Sequence, residues 1–205
     1  MIEAELKARL TDPDAVRAAL ARRATPERAT YRDTYYDTSG EDLDHAGREL
    51  RLRTVRTRDA ERHLLTFKEP AVDQASGSKP EYETTVGTPA AVDHLVRALG
   101  LCTLVALTKE CENYRFSAGD RDFLATIVRV PEIDGTFLEV ETMASESELD
   151  RALGAVRQLL AEVGVTAGEL TTELYTDAVR ARRACCTSGS SPGRGDPQNR
   201  PGAGS

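Results

Sequence analysis

Carboxylates and cations recur two residues apart along several stretches of this chain. Glu3, Glu5 and Lys7 stand at alternate positions, as do Arg51 and Arg53, Thr66 and Lys68, the trio Lys79, Glu81 and Glu83, and the pair Glu139 and Glu141. Lys109, Cys111, Asn113 and Arg115 keep the same spacing. A period of two places such residues on one face of an extended strand and their neighbours on the other. Those neighbours are apolar: Ile2, Ala4 and Leu6, then Leu50 and Leu52, Leu65 and Phe67, Leu138 and Val140. Paired carboxylates are hard oxygen ligands suited to Mg2+ or Mn2+. Clustered Arg and Lys suit phosphate, Arg through a bidentate fork and Lys as a point charge. Both together are what a triphosphate with its divalent metal requires, because that chemistry is largely positioning and charge neutralisation. The sequence holds no Gly-rich P-loop, so basic strands would take over the cradle's role.

An open sheet with one solvated face also carries charge at every second residue. For any single strand that explanation suffices. Across several strands it weakens, since Thr or Gln would solvate a face as well as paired Glu or paired Arg. If the charged faces turn inward, they line one tunnel, and such an interior survives only through pairing, water or bound ligand.

The elements that must position these residues are marked by their ends. Asp12 caps a helix with Pro13 at its first position, and Thr88 with Pro89 repeats the signal for a helix that stops at Gly100. Ser145 and Glu148 make a capping box ahead of a helix that stops at Gly164. Thr171 opens a last helix with Leu174, Ala178 and Val179 on one face. Period-two segments predict strands over 2–9, 31–37, 49–56, 63–69, 79–86, 105–116, 122–130 and 136–142. Eight strands with few helices between them predict an α+β fold: an antiparallel sheet curled into a closed or nearly closed barrel, with helices packed outside. That domain spans residues 1–183. Residues 184–205, almost devoid of apolar side chains beyond the two cysteines, read as a disordered Gly/Ser/Pro tail.

Composition narrows the field further. A net charge of −7 over 205 residues disfavours a protein that wraps nucleic acid. The absence of Trp and an aromatic content of 5% argue against a stacking platform for single strands or sugars. No apolar run is long enough for a membrane span, and charge at Glu3 breaks any secretory signal. A cytoplasmic protein that binds neither nucleic acid nor membrane is expected, and a homodimer is compatible with the sequence. Cys102, Cys111, Cys185 and Cys186 form no CxxC pair and read as reduced thiols. His45, His63 and His94 lie far apart, and none forms a recognisable nucleophile triad.

The charged strands carry a resemblance. Glu3-Ala4-Glu5-Leu6-Lys7 matches the ExExK signature of the CYTH superfamily, the triphosphate tunnel enzymes. Six further segments follow in that family's order: RDTYYDT (32–38), ELRLR (49–53), LTFKEP (65–70), KPEYE (79–83), LTKEC (107–111) and GTFLEVE (135–141). ExExK alone is a weak signal; seven segments in order are a strong one. The resemblance covers roughly residues 1–180 and is greatest to the class IV adenylyl cyclase branch. It implies an eight-stranded tunnel with Glu3, Glu5, Glu139 and Glu141 on Mg2+ or Mn2+, and Lys7, Arg51, Arg53, Lys68 and Lys109 on phosphates. Lys79, Glu81, Glu83, Arg115 and Arg129 join the expected substrate-contacting set, and Lys7 is the best general base. The implied reaction is conversion of ATP to cyclic AMP and pyrophosphate. Alternatives are hydrolysis of tripolyphosphate, thiamine triphosphate or another organic di- or triphosphate, and a non-catalytic polyphosphate-binding module. Three positions depart from the family pattern. Cys111 stands where a basic residue is frequent, Lys79 replaces a common Arg, and Arg129 lies near the place of a common metal-binding Asp. A lost carboxylate weakens metal binding, and an added Arg favours a more anionic ligand.

Overall fold

Ile2, Ala4, Leu6 and Ala8 are buried on one side of β1 (Ile2–Arg9), while Glu3, Glu5 and Lys7 on the other side are half-buried. This division between an apolar and a charged face shapes the molecule. The computed structural model describes residues 2–73 and 76–188. Seven more strands follow: β2 (Glu27–Asp37), β3 (Glu49–Arg56), β4 (Glu61–Lys68), β5 (Glu81–Val86), β6 (Cys102–Ala118), β7 (Arg121–Arg129) and β8 (Phe137–Ala144). They form one antiparallel sheet in the order β1-β8-β7-β6-β2-β3-β4-β5. The expected eight-stranded α+β fold is present, curled strongly enough for its two edges to meet at one place. There Ile2 bridges Pro80, just ahead of β5, and the Glu5 amide donates to Ser78 Oγ at 3.3 Å.

The helices are α1 (Pro13–Ala21), α2 (Asp42–His45), α3 (Pro89–Ala98), α4 (Leu149–Glu162) and α5 (Tyr175–Ser188). Val16 and Leu20 of α1, and Leu153, Val156 and Leu160 of α4, pack over Leu6, Ile127, Leu138 and Val140 on the outer face of the sheet. Val96 of α3 covers Tyr36 and Leu52. Burying these apolar stripes supplies the main drive for curling the sheet around its charged face. Helix ends follow the sequence signals in part. Asp12 Oδ1 accepts from the Ala15 amide at 3.0 Å, and Gly100 and Gly164 both take the left-handed conformation at φ +93°. Ser145 instead gives its hydroxyl to the Glu148 carboxylate at 2.8 Å, around a short 3-10 turn that precedes α4.

The C-terminal region corrects three expectations. Thr171 does not open a helix, because its amide donates to the Lys7 carbonyl at 2.9 Å and Leu170 bridges Ala8. Residues 170–174 therefore run as an extended strap along the free edge of β1, and α5 starts only at Tyr175. Nor do all helices lie outside. Tyr175 and Val179 of α5 are buried among Leu107, Cys111, Val128 and Phe137, which belong to the inner face of the sheet, and the Tyr175 ring meets Phe137 edge-on at 5.1 Å. Those inner residues are apolar and need cover, so α5 plugs that end of the barrel. Finally, α5 continues through Cys185 and Cys186 to Ser188, past the expected boundary at 184. The rest of the expected tail, 189–205, lies outside the described residues.

Candidate active site

Register between β1 and β8 sets the acidic side of the tunnel. Glu5 faces Glu141 across the ladder and Lys7 faces Glu139. Carboxylate oxygens of Glu3, Glu5 and Glu141 all lie within 4.8 Å of one another. Burial raises the Glu5 pKa, and the neighbouring charge of Glu139 adds to it. Burial, then Glu3 and Glu5, hold Glu141 well above the usual carboxylate range. Burial acts the same way on Glu3, but the Lys68 ammonium 2.9 Å away, a hydrogen bond with Glu81 and the charge of Arg51 together outweigh it and bring Glu3 down to about 2. Two of the three carboxylates are thus short of positive charge. A divalent cation supplies it, and three hard oxygen donors so closely spaced fit Mg2+ or Mn2+. Glu139, expected with them, is turned elsewhere. It receives Lys109 Nζ at 3.4 Å, and Lys109 and Lys7 overcome its burial to lower its pKa.

Cations fill the facing wall. Arg53 makes a fork of two 2.7 Å hydrogen bonds to Asp33 and stacks over the Tyr31 ring at 4.6 Å. Burial of Asp33 is outweighed by that guanidinium, which holds its carboxyl at about 2. Arg51 donates to Thr66 Oγ1 at 3.3 Å and stands 3.9 Å from Glu81 and 4.0 Å from Glu83. Among the described residues its buried Nε has no hydrogen-bond partner, leaving an unused donor inside a charged cavity. Lys68 sits between Glu3 and Glu81, 2.7 Å from the latter. Burial and the adjoining Glu3 carboxylate push Glu81 up to about 7. Lys79 reaches Glu49 at 2.5 Å and the Gly47 carbonyl at 3.1 Å. Lys7 and Lys109 approach the Tyr175 ring at 4.5 and 4.4 Å, and Lys7 also donates to the Glu173 carbonyl. The Lys7 pKa is lowered, by burial first, with Lys109 adding to it against the pull of Glu139 and Glu5.

The acidic cluster, Glu139 and all the cations named above line one cavity of about 250 Å³, and so does Arg115. Arg129 does not. It shares the outer face of β7 with Phe123, Ala125 and Ile127, is exposed, and pairs with Glu110 at 3.3 Å. The β7 residues facing the cavity are Leu124 and Thr126, opposite Glu141 and Glu139, so β7 adds no carboxylate here. Cys111 is a buried wall residue whose thiol burial pushes up to about 12. Three contributors escaped the sequence reading. Asp33 shares its strand face with Tyr31 and Tyr35, a spacing that could have revealed it. Arg62, in step with Lys68 on β4, could have been found the same way. Tyr175 arrives from α5, and nothing in its local sequence points to the tunnel.

Among solved structures, PH1819 of Pyrococcus horikoshii superposes with a TM-score of 0.77 at 23% identity, covering 88% of this chain and 99% of its own. A candidate adenylate cyclase of Vibrio parahaemolyticus gives 0.72 at 21% identity, covering 88% and 98%. HpAC1 of Hippeastrum, a candidate adenylyl cyclase with a dominant triphosphatase activity, gives 0.61 at 18% identity, covering 88% and 96%. At such identities the likeness is one of fold. No curated protein matches the sequence. The profile of the CYTH domain matches residues 1–175, which takes in every strand of the barrel and the strap that borders β1. With its charged tunnel intact over that span, the chain belongs to the CYTH domain family.

Proposed function

We propose that this chain is a divalent-metal-dependent enzyme that hydrolyses a triphosphate inside its tunnel. The observation that carries the reading is the Glu3, Glu5 and Glu141 cluster facing Arg51, Arg53, Lys68 and Lys109 within one cavity. When bound at the three carboxylates, the metal supplies charge neutralisation and Lewis-acid polarisation of phosphoryl oxygens. Arg51, Arg53, Lys68 and Lys109 bind the phosphate oxygens and hold the chain of phosphates in line. Asp33 fixes the fork of Arg53, so that cation is oriented before substrate arrives. Lys7, which lines the cavity opposite Glu139, takes the role of proton acceptor for the attacking water. The water oxygen joins the terminal phosphorus as the bridging P–O bond breaks, releasing orthophosphate and a diphosphate.

Hydrolysis is favoured over cyclisation by the surroundings. Tyr31 and Tyr35 line the cavity but are only 8% and 7% exposed, too covered to stack a base. Tyr36 and Tyr114 pack under helices, and Tyr82 does not line the cavity. A cavity of about 250 Å³ lined mainly by charged side chains suits a chain of phosphates. Cyclisation of ATP is the second reading, supported by the segments RDTYYDT, LTFKEP and GTFLEVE and by the likeness to the Vibrio protein. The test is a product assay with Mg2+ or Mn2+ on tripolyphosphate, thiamine triphosphate and ATP. Orthophosphate release supports hydrolysis, and cyclic AMP with pyrophosphate supports cyclisation. Tight binding that is indifferent to EDTA, with no turnover, would mark a binding module and overturn both.

A further inference from the structure

Among the described residues eight basic side chains line the tunnel, and six are already held by the protein: Lys7, Arg51, Arg53, Lys68, Lys79 and Lys109, each with the partner given above. Arg62 and Arg115 differ. Both are exposed, and among the described residues neither side chain has an ion pair or hydrogen bond. Topology sends them to the same end. β2 lies between β6 and β3 and runs antiparallel to both, so β3 and β6 run in the same direction. The β3–β4 and β6–β7 hairpins therefore close the same end of the barrel, opposite the inner apolar residues plugged by α5. Arg62 is the second residue of β4 after its hairpin, and Arg115 lies three residues before the end of β6. Neither has a free carboxylate committed to it. Glu83, the outer lining carboxylate of β5, accepts from Thr66 at 3.0 Å, and Leu124 separates Arg115 from Glu141 in the ladder.

Two exposed guanidinium groups at one mouth, neither paired with a carboxylate among the described residues, keep their fork donors open to an anion that extends out of the cavity. We propose that Arg62 and Arg115 form an outer anion station at the tunnel mouth. The preferred substrate then carries negative charge beyond the buried triphosphate unit: a linear inorganic polyphosphate longer than tripolyphosphate, rather than a triphosphate ending in an uncharged organic group. This inference rests on the tunnel binding a triphosphate unit.

The experiment compares wild type, R62Q and R115Q on tripolyphosphate and tetrapolyphosphate, with kcat and KM measured separately in Mg2+ or Mn2+. Each substitution removes a charge-assisted contact and is expected to raise KM for tetrapolyphosphate about tenfold, with a loss on tripolyphosphate under about threefold. R62K and R115K should recover part of the loss. Equal losses on both substrates, or no loss on the longer one, would overturn the outer station. If wild type turns over neither substrate, the hydrolytic reading fails by itself. The same variants are then compared by calorimetric affinity for the two polyphosphates, where tighter binding of the longer one that disappears in R62Q and R115Q sustains the station and equal affinities refute it.

Discussion

Glu3 and Glu81 share Lys68 and divide its charge unequally, with Glu3 held at about 2 and Glu81 raised to about 7. A carboxyl whose folded pKa lies above its unfolded value of 4.5 stabilises the fold while protonated. Its contribution is complete below pH 4.5 and is lost as pH rises through about 7. Raised values at Glu5 and Glu141 act in the same direction. Metal-free protein should therefore melt at lower temperature at neutral pH than near pH 4.5, and Glu81→Gln should reduce that difference by on the order of 5 °C. Circular dichroism melts in EDTA check this, and an unchanged slope in the variant counts against it. Asp33→Ala strands the buried Arg53 guanidinium and should cost about 3–5 kcal/mol by urea unfolding, with Asp33→Asn recovering part. Most of these residues could be read from the sequence because β1, β3 and β8 alternate sharply between charged and apolar. β7 does not. Ala125, Thr126, Ile127, Val128 and Val130 are all buried, so no parity was visible, and Arg129 was placed inward on motif position alone. Asp33 was legible by parity, but two tyrosines on its face disguised a charged position as an apolar one.

At the scale of elements, the C-terminal strap and α5 do work that their own pattern hides. Helix starts governed by local chemistry, such as Asp12 ahead of Pro13, follow the sequence closely. The start of α5 does not, because Thr171 spends its amide on a β1 carbonyl that no nearby residue foretells. The strap and α5 together close the edge of β1 and one barrel end, with Tyr175 set between Lys7 and Lys109. Tyr175→Ala should destabilise the protein by about 3–5 kcal/mol through the cavity left beside Phe137. It should also weaken catalysis, since both lysines lose the ring that orients them. Denaturant unfolding and tripolyphosphate turnover measure the two effects. A variant with wild-type stability would show that α5 is an ornament rather than a plug.

The whole molecule depends on a pairing order that no local signal encodes. β2 pairs with β6 across the 64 residues of chain between them, and β1 pairs with β8 across the length of the domain. The count and character of the strands were legible, as was the charged face of most of them. Which edges meet, and therefore which carboxylates converge, was not. Closure at Ile2 and Pro80 brings Glu3 to Lys68, and the β1–β8 register brings Glu5 to Glu141, so the site exists only in the assembled barrel. The most direct measurement is a crystal structure of the protein with Mn2+ and tripolyphosphate, the ion located by its anomalous signal. Manganese is expected about 2.2 Å from oxygens of Glu3, Glu5 and Glu141, with phosphates reaching Arg51, Arg53, Lys68 and Lys109. Manganese bound away from those carboxylates, or polyphosphate lying on the outer surface with the tunnel unfilled, would contradict that placement.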